Sequence, residues 1–380
     1  MADLQTPVVV SARRTPQGKQ DGALASVRSE DLSIAVIEAL LADSGIDPAR
    51  VDDLQWGCAQ QRGEQDNNLA RVIALLSPLG EGVPAATINR WCASSMEAIV
   101  NGANAIRAGH RSVVIAGGVE SMTRVPMGES YSTLHPALAD QYNVGELQMG
   151  MTAEKVARQF DIARESQDAY AAQSQQRAAA ATEEGRFADE LVPVETDDGM
   201  LEADEGIRPD TTPEKLASLS PVFMGDGTVT AGNASQISDG AAGTILTSET
   251  FAREHGLPIL GAVGHHHVAG VDPTVMGIGP VPATRGLLDA VNRDIDAYDL
   301  VELNEAFASQ TVYSRRELGI PEDKFNVNGG AIAIGHPLGA SGARLPVTLL
   351  HELNRRDGNR GLATLCVGFG QGAAIEFTRP

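Results

Sequence analysis

Ser112-Val113-Val114-Ile115-Ala116-Gly117-Gly118, a strand-like run that ends in glycines, is echoed by Leu362-Ala363-Thr364-Leu365-Cys366-Val367-Gly368, displaced by 362 − 112 = 250 residues. A second echo lies at nearly the same distance. Ser44-Gly45-Ile46-Asp47-Pro48 followed by Val51-Asp52-Asp53-Leu54 is matched by Arg293-Asp294-Ile295-Asp296-Ala297 followed by Leu300-Val301-Glu302-Leu303, 293 − 44 = 249 residues on. Two matches at almost one displacement point to an internal duplication.

A duplicated chain should carry its strand-to-helix junctions twice. In the first half, Ala85–Ile88 leads into Asn89-Arg90-Trp91-Cys92, and Met96, Ile99, Val100, Ala103 and Ile106 then recur at helical spacing, closed by Arg107 and Gly109. In the second half, Phe325-Asn326-Val327-Asn328 runs into a glycine-rich turn, Gly329 to Gly342, ahead of an apolar helix from Leu345 to Leu353. The remaining elements alternate in the same manner. Val8–Val10 reads as a strand, Ser29 as the N-cap of a helix ending near Gly45, Val51 to Cys58 as a strand and 68–76 as a helix. This alternation predicts a layered α/β fold with a mostly parallel sheet.

Between about Val119 and Thr228 the texture changes to methionines, prolines and acidic stretches, with a helix expected over 153–184. An excursion of this length on a rigid scaffold is usually functional. The expected domains are therefore 1–118, completed by about 229–250; an inserted loop domain, 119–228; and a second half, 251–380.

The composition, 42% hydrophobic and 21% charged residues, is that of an ordinary globular protein. A formal charge of -21 without any Lys/Arg block argues against nucleic-acid and anionic-membrane partners. Cys58, Cys92 and Cys366 form neither a disulfide framework nor a metal-ligand spacing, which suits a reducing compartment. The N-terminal Met-Ala-Asp-Leu-Gln-Thr-Pro has no leader pattern, and no stretch is apolar enough to span a bilayer, so a cytoplasmic location is expected. No metal site is expected either: His265-His266-His267 would point alternately to opposite faces of a strand.

Cys92 at the start of a helix is placed where backbone N–H groups and the helix dipole favour a thiolate and can hold an oxyanion. His336, between Gly335 and Pro337 in the second glycine-rich turn, is poised as a base or as an oxyanion donor. Cys366 ends an apolar strand immediately before Val367-Gly368-Phe369-Gly370, where accessible N–H groups could form an oxyanion hole. Asn304-Glu305-Ala306-Phe307 follows the strand Leu300–Leu303, at the edge where open α/β sheets bind ligands.

Taken together, the Cys92 segment, Asn304-Glu305-Ala306-Phe307, the 329–344 run and the Cys366 glycine loop are similar to the four signature regions of the thiolase family, in the same order and over essentially the whole chain. The resemblance implies a thiolase fold: two similar αβαβα-layered halves plus an inserted loop domain. It implies that Cys92 takes the acyl group and that His336 activates it. Cys366 would exchange a proton with the coenzyme A thiol or with the α-carbon of the acetyl unit. The N–H groups of Cys92 and Gly368 would form one oxyanion site, and His336 with a water held by Asn304 the other.

The same similarity maps coenzyme A contacts onto Met149, Arg208, Phe223, Ala231, Ser235, Met276 and Phe307. Coenzyme A would be a substrate, with acyl-CoA as its partner and no cofactor bound permanently. A homodimer or homotetramer, open to association with a β-oxidation multienzyme subunit, is also implied. Gln148 before Met149, and Gln371, depart from the biosynthetic acetoacetyl-CoA thiolases and lean toward the degradative 3-ketoacyl-CoA type. Phe369 stands where the family more often has glycine or an aliphatic residue. The alternatives are a biosynthetic thiolase, a ketoacyl synthase or a thiolase-like scaffold without activity.

Overall fold

In the computed structural model, residues 4–127 and 134–379 are described; the termini read above at Met1–Asp3 and Pro380, and residues 128–133, lie outside the described residues. The first half runs β1 (Pro7–Arg14), β2 (Gly18–Lys19), α1 (Ser29–Ser44), β3 (Asp53–Gly57), α2 (Leu69–Leu76), β4 (Ala85–Ile88), α3 (Ser94–Arg107) and β5 (Val113–Ser121). There follow α4 (Pro136–Gln141), α5 (Met149–Gln159), α6 (Arg164–Glu183), a small β6–β7 hairpin (Val194–Thr196, Gly199–Leu201) and α7 (Pro213–Ala217). The chain then returns to the sheet as β8 (Ser238–Ser248). The second half holds α8 (Glu249–Glu254), β9 (Gly261–Gly270), α9 (Pro280–Val291), β10 (Leu300–Leu303), α10 (Ala308–Leu318), α11 (Ala331–Ile334), α12 (Leu338–Arg355), β11 (Arg360–Val367) and β12 (Gln371–Thr378).

The strands lie in the order β10-β11-β12-β9-β1-β8-β5-β3-β4. Within the first half, β3 pairs parallel with β4 and β5, while β8 is antiparallel to both β5 and β1. With β2, which also pairs antiparallel with β8, five strands therefore share one direction and β8 opposes them. The second half repeats this, with β10 parallel to β11 and β12 antiparallel to β11 and β9. The expectation of a mostly parallel sheet is therefore corrected: only β3–β4, β3–β5 and β10–β11 pair in parallel, because each half carries one reversed strand, β8 or β12, between strands of the common direction. An antiparallel contact, Val8 with Ala262 and Val9 with Gly261, joins the two.

Alternation along the strands sets the layers. Val114 and Ala116 of β5, with Ala363 and Leu365 of β11, face a shared central core that also takes Ile99 of α3 and Leu345 and Leu349 of α12. Val113 and Ile115 face outward onto Leu32 and Val36 of α1, and Leu362 faces a third cluster with Leu287 of α9 and Leu318 of α10. Helices α3 and α12 are therefore sandwiched between the half-sheets, with the other helices outside: αβαβα. Close packing at the centre needs small residues. A Cβ on Gly339 would stand 2.4 Å from the Val119 carbonyl oxygen.

Three local expectations change. Val113 and Leu362 both face outward, so the two halves superpose with a displacement of 362 − 113 = 249, and the echo read at 250 is one residue out of register. The helix expected over 153–184 is two helices, broken where Asp161 takes φ +53°. Ser29 is the first helical residue rather than the N-cap, and its Oγ donates to Gln65 Oε1 at 2.9 Å.

Candidate active site

Cys92 lies in a tight turn between β4 and α3, two residues before the helix begins. Asn89 Oδ1 accepts from Trp91 N at 2.8 Å and Ser94 Oγ from Arg90 N at 3.0 Å. These contacts hold Trp91 at φ +47°, a conformation that side chains with a Cβ rarely adopt. The thiol is buried, and burial pushes it up to about 12. The nearby backbone N–H groups of Gly368 and of Cys92 itself act in the opposite direction, while the Glu120 charge raises it further. The expected thiolate is therefore a thiol in the resting protein: α3 starts at Ser94, and burial outweighs the helix end.

His336 sits between α11 and α12, behind Gly335 at φ +120°, where a Cβ would meet Ser238 Oγ at 2.4 Å. Its own N–H lies 3.3 Å from both Gln236 O and Ser238 Oγ. The ring is buried. Burial, with the neighbouring Arg344 charge, lowers it from 6.5 to about 3 and keeps it neutral. Hydrogen bonds assign the proton. Ser341 Oγ donates to Pro337 O at 2.8 Å, so its oxygen accepts from Nδ1–H at 2.6 Å, and Nε2 carries the lone pair. Asn304 Nδ2 lies 3.3 Å from Nε2 and 3.4 Å from Nδ1. Asn304 is itself set by Thr364 O, which accepts its N–H at 3.0 Å, and by Gln310, which donates to its carbonyl at 2.8 Å; its Oδ1 is buried with no partner among the described residues.

Cys366 is fully buried near the end of β11, and burial together with the neighbouring Cys92 pushes its thiol well up. It belongs to an apolar cluster with Met276, Phe307, Ala153 and Val229, against which Met149 and Ala234 pack. Phe223 meets Phe307 edge-on at 6.2 Å between ring centres, and Ser235 N donates to Ala306 O at 2.9 Å. Five of the seven expected coenzyme A positions thus belong to this cluster or to segments tied to it. Arg208 and Ala231 are exposed and are not members of it.

Glu120 was not among the expected site residues. It is fully buried in β5, and its carboxylate accepts from Ala59 N at 2.9 Å, Gln60 N at 3.1 Å, Gln65 Nε2 at 2.6 Å and Gly339 N at 2.8 Å. It therefore ties the loop after β3 to the start of α12, beneath Cys92. The signal lay in the sequence: a carboxylate directly after Gly117-Gly118-Val119, inside a strand too apolar to carry a charge without fixed donors.

A buried cysteine beside two backbone N–H groups, a neutral imidazole with an unprotonated Nε2 and a second cysteine together form the equipment of an acyltransferase that works through a thioester on the protein. Models of the thiolase N-terminal and C-terminal domains match residues 7–250 and 257–379. The chain belongs to the thiolase family. It is 47% identical to a β-ketoadipyl-CoA thiolase of Pseudomonas aeruginosa over 98% of each chain. It is also 47% identical to a 3-ketoacyl-CoA thiolase of Erwinia tasmaniensis, over 99% of this chain and 100% of the other. Human mitochondrial 3-ketoacyl-CoA thiolase in complex with CoA superposes with a TM-score of 0.92 at 41% identity, covering 100% of this chain and 99% of that one.

Proposed function

We propose that the protein cleaves 3-ketoacyl-CoA with free coenzyme A, yielding acetyl-CoA and an acyl-CoA two carbons shorter, as a degradative thiolase of fatty-acid β-oxidation. The observation that carries this reading is the Cys92 sulfur beneath the N–H groups of Cys92 and Gly368, with Cys366 as its neighbour. His336 Nε2 takes the Cys92 proton as the sulfur attacks the 3-keto carbon. The developing oxyanion lies between the two N–H groups. The Cα–Cβ bond then breaks, its electron pair becomes the enolate of acetyl-CoA, and Cys366 delivers the proton that neutralises it. His336, now protonated, and a water held by Asn304 Oδ1 stabilise the enolate oxygen.

In the second half-reaction the Cys366 thiolate takes the proton of the incoming coenzyme A thiol. The new thiolate attacks the acyl-Cys92 thioester, and His336 returns its proton to the departing Cys92 sulfur. Every proton has a side chain to carry it, so the reaction needs no permanently bound cofactor. A thiol raised to about 12 fits a nucleophile that ionises only as its proton passes to the imidazole.

The apolar cluster of Met149, Met276 and Phe307 beside Cys366, with Phe223 packed on it, suits a pantetheine arm, and exposed Arg208 suits a phosphate. With the chain divided at about 119 and 229–250, this arm would lie between the insertion, which holds Met149 and Phe223, and the second half, which holds Met276 and Phe307. Three cysteines with neither a disulfide framework nor a metal-ligand spacing support work in the reducing cytoplasm, and the family resemblance supports a homodimer or homotetramer. The test is thiolysis of a chain-length series of 3-ketoacyl-CoAs by the purified protein, read as kcat/KM. No cleavage of any member, with coenzyme A present, would exclude the reading.

A further inference from the structure

The two N–H groups at the Cys92 sulfur come from turns that are 368 − 92 = 276 residues apart and belong to different halves. Each is flanked by an aromatic residue in the left-handed region: Trp91 at φ +47° and Phe369 at φ +60°. Bulky side chains are disfavoured there, and such conformations persist only where surrounding contacts impose them. Here the contact is mutual. The two rings pack at 5.4 Å between centres, tilted by 32°. Trp91 also lies over Gly368, its Cγ 3.5 Å from where a Cβ would stand. A second rung crosses the same gap: Arg90, held by Glu97 at 2.9 and 3.1 Å, donates to Gln371 Oε1 at 3.3 Å.

We propose that Trp91 and Phe369 are a positioning pair that holds the two oxyanion donors in register across the junction of the halves. The Cys92 N–H lies in the Trp91–Cys92 peptide plane, so the Trp91 backbone angles aim it directly. The Gly368 N–H leaves the end of β11, and Phe369 sets the path the chain takes from there. Neither turn is covalently tied to the other, and a donor displaced by a fraction of an ångström loses much of its effect on a developing charge. The ring contact removes that freedom.

This inference rests on the acyl-cysteine reading, and its test separates the two. Phe369→Leu keeps the Cβ and much of the volume, Phe369→Gly relieves the backbone, and Phe369→Tyr keeps the ring. The rate of Cys92 acylation by acetyl-CoA is followed by intact-protein mass over a range of concentrations, which separates the saturating rate from the half-saturating concentration. Phe369→Leu and Phe369→Gly should lower the saturating rate roughly tenfold to a hundredfold, short of the loss on removing a whole oxyanion donor, with half-saturation little changed. Phe369→Tyr should restore the wild-type rate. Wild-type rates in Phe369→Leu, or a change confined to half-saturation, would overturn the positioning role. If Phe369→Gly does not fold, the Leu and Tyr variants decide between them. A wild-type protein that accepts no acyl group would overturn the acyl-cysteine reading itself, and this inference with it.

Discussion

Ser341 Oγ accepts the Nδ1 proton of His336 at 2.6 Å while donating its own hydrogen to Pro337 O at 2.8 Å, so one hydroxyl decides which imidazole nitrogen faces the chemistry. Both residues lie within a single turn of chain at the head of α12. The tautomer is therefore set locally, whereas Cys92, the proposed source of the proton, is supplied by the other half.

Ser341→Ala should leave Nδ1 without its acceptor and let the imidazole populate the other tautomer. The expected result is a fall in kcat of about a hundredfold, the lower end of what a positioned general base contributes, with KM little changed. Steady-state thiolysis of acetoacetyl-CoA measures it. A rise in KM alone would contradict the assignment.

The neutral His336 also makes stability depend on pH. Its folded value is about 3 against 6.5 in the unfolded chain, so between these limits the unfolded state binds the extra proton. The contribution is fully present above about 6.5 and is lost as pH falls toward 3, by on the order of 5 kcal/mol in all. His336→Gln should flatten the acid side of a plot of Tm against pH. Identical slopes for both proteins between pH 4 and 6.5 would show that other groups control it.

The two cysteines should separate by half-reaction. Cys92→Ala is expected to take up no acyl group and to lose thiolysis entirely. Cys366→Ala should still be acylated on Cys92 by an acyl-CoA, while turnover drops about a thousandfold, the scale of general acid–base assistance. Peptide mapping after brief incubation with an acyl-CoA reads both. Label on Cys58, which lies against Glu120 at 3.7 Å, would reverse the assignment.

Glu120→Ala would strand the N–H groups of Ala59, Gln60 and Gly339 and the Gln65 amide inside the protein. At about 1–3 kcal/mol for each orphaned group, partly relieved by water, a loss of roughly 4 kcal/mol or more is expected. Urea unfolding followed by circular dichroism checks it. A midpoint within error of wild type would mean that the donors find other partners.

The alternation of strand and helix, the doubled junction and the four motif segments were all legible in the sequence. They are carried by local chemistry: glycines where the chain turns sharply, apolar spacing where a helix meets a core. The register of the duplication was less legible. Val113-Val114-Ile115-Ala116 is apolar on both faces because both faces are buried, so no polar alternation distinguishes a displacement of 249 from 250. Glu120 escaped notice because its donors come from residues far off in the chain, in the loop after β3 and at the head of α12.

The sequence alone singled out Cys92, His336 and Cys366 as the candidate reactive set and suggested a duplicated chain, since residue type and turn chemistry are local properties. Only the tertiary structure decided the state in which they rest. Burial makes Cys92 a thiol despite its place near a helix start, because desolvation of the anion outweighs the helix end and the two nearby backbone N–H groups. It also set Trp91 against Phe369, a contact between residues 369 − 91 = 278 positions apart that no local pattern encodes.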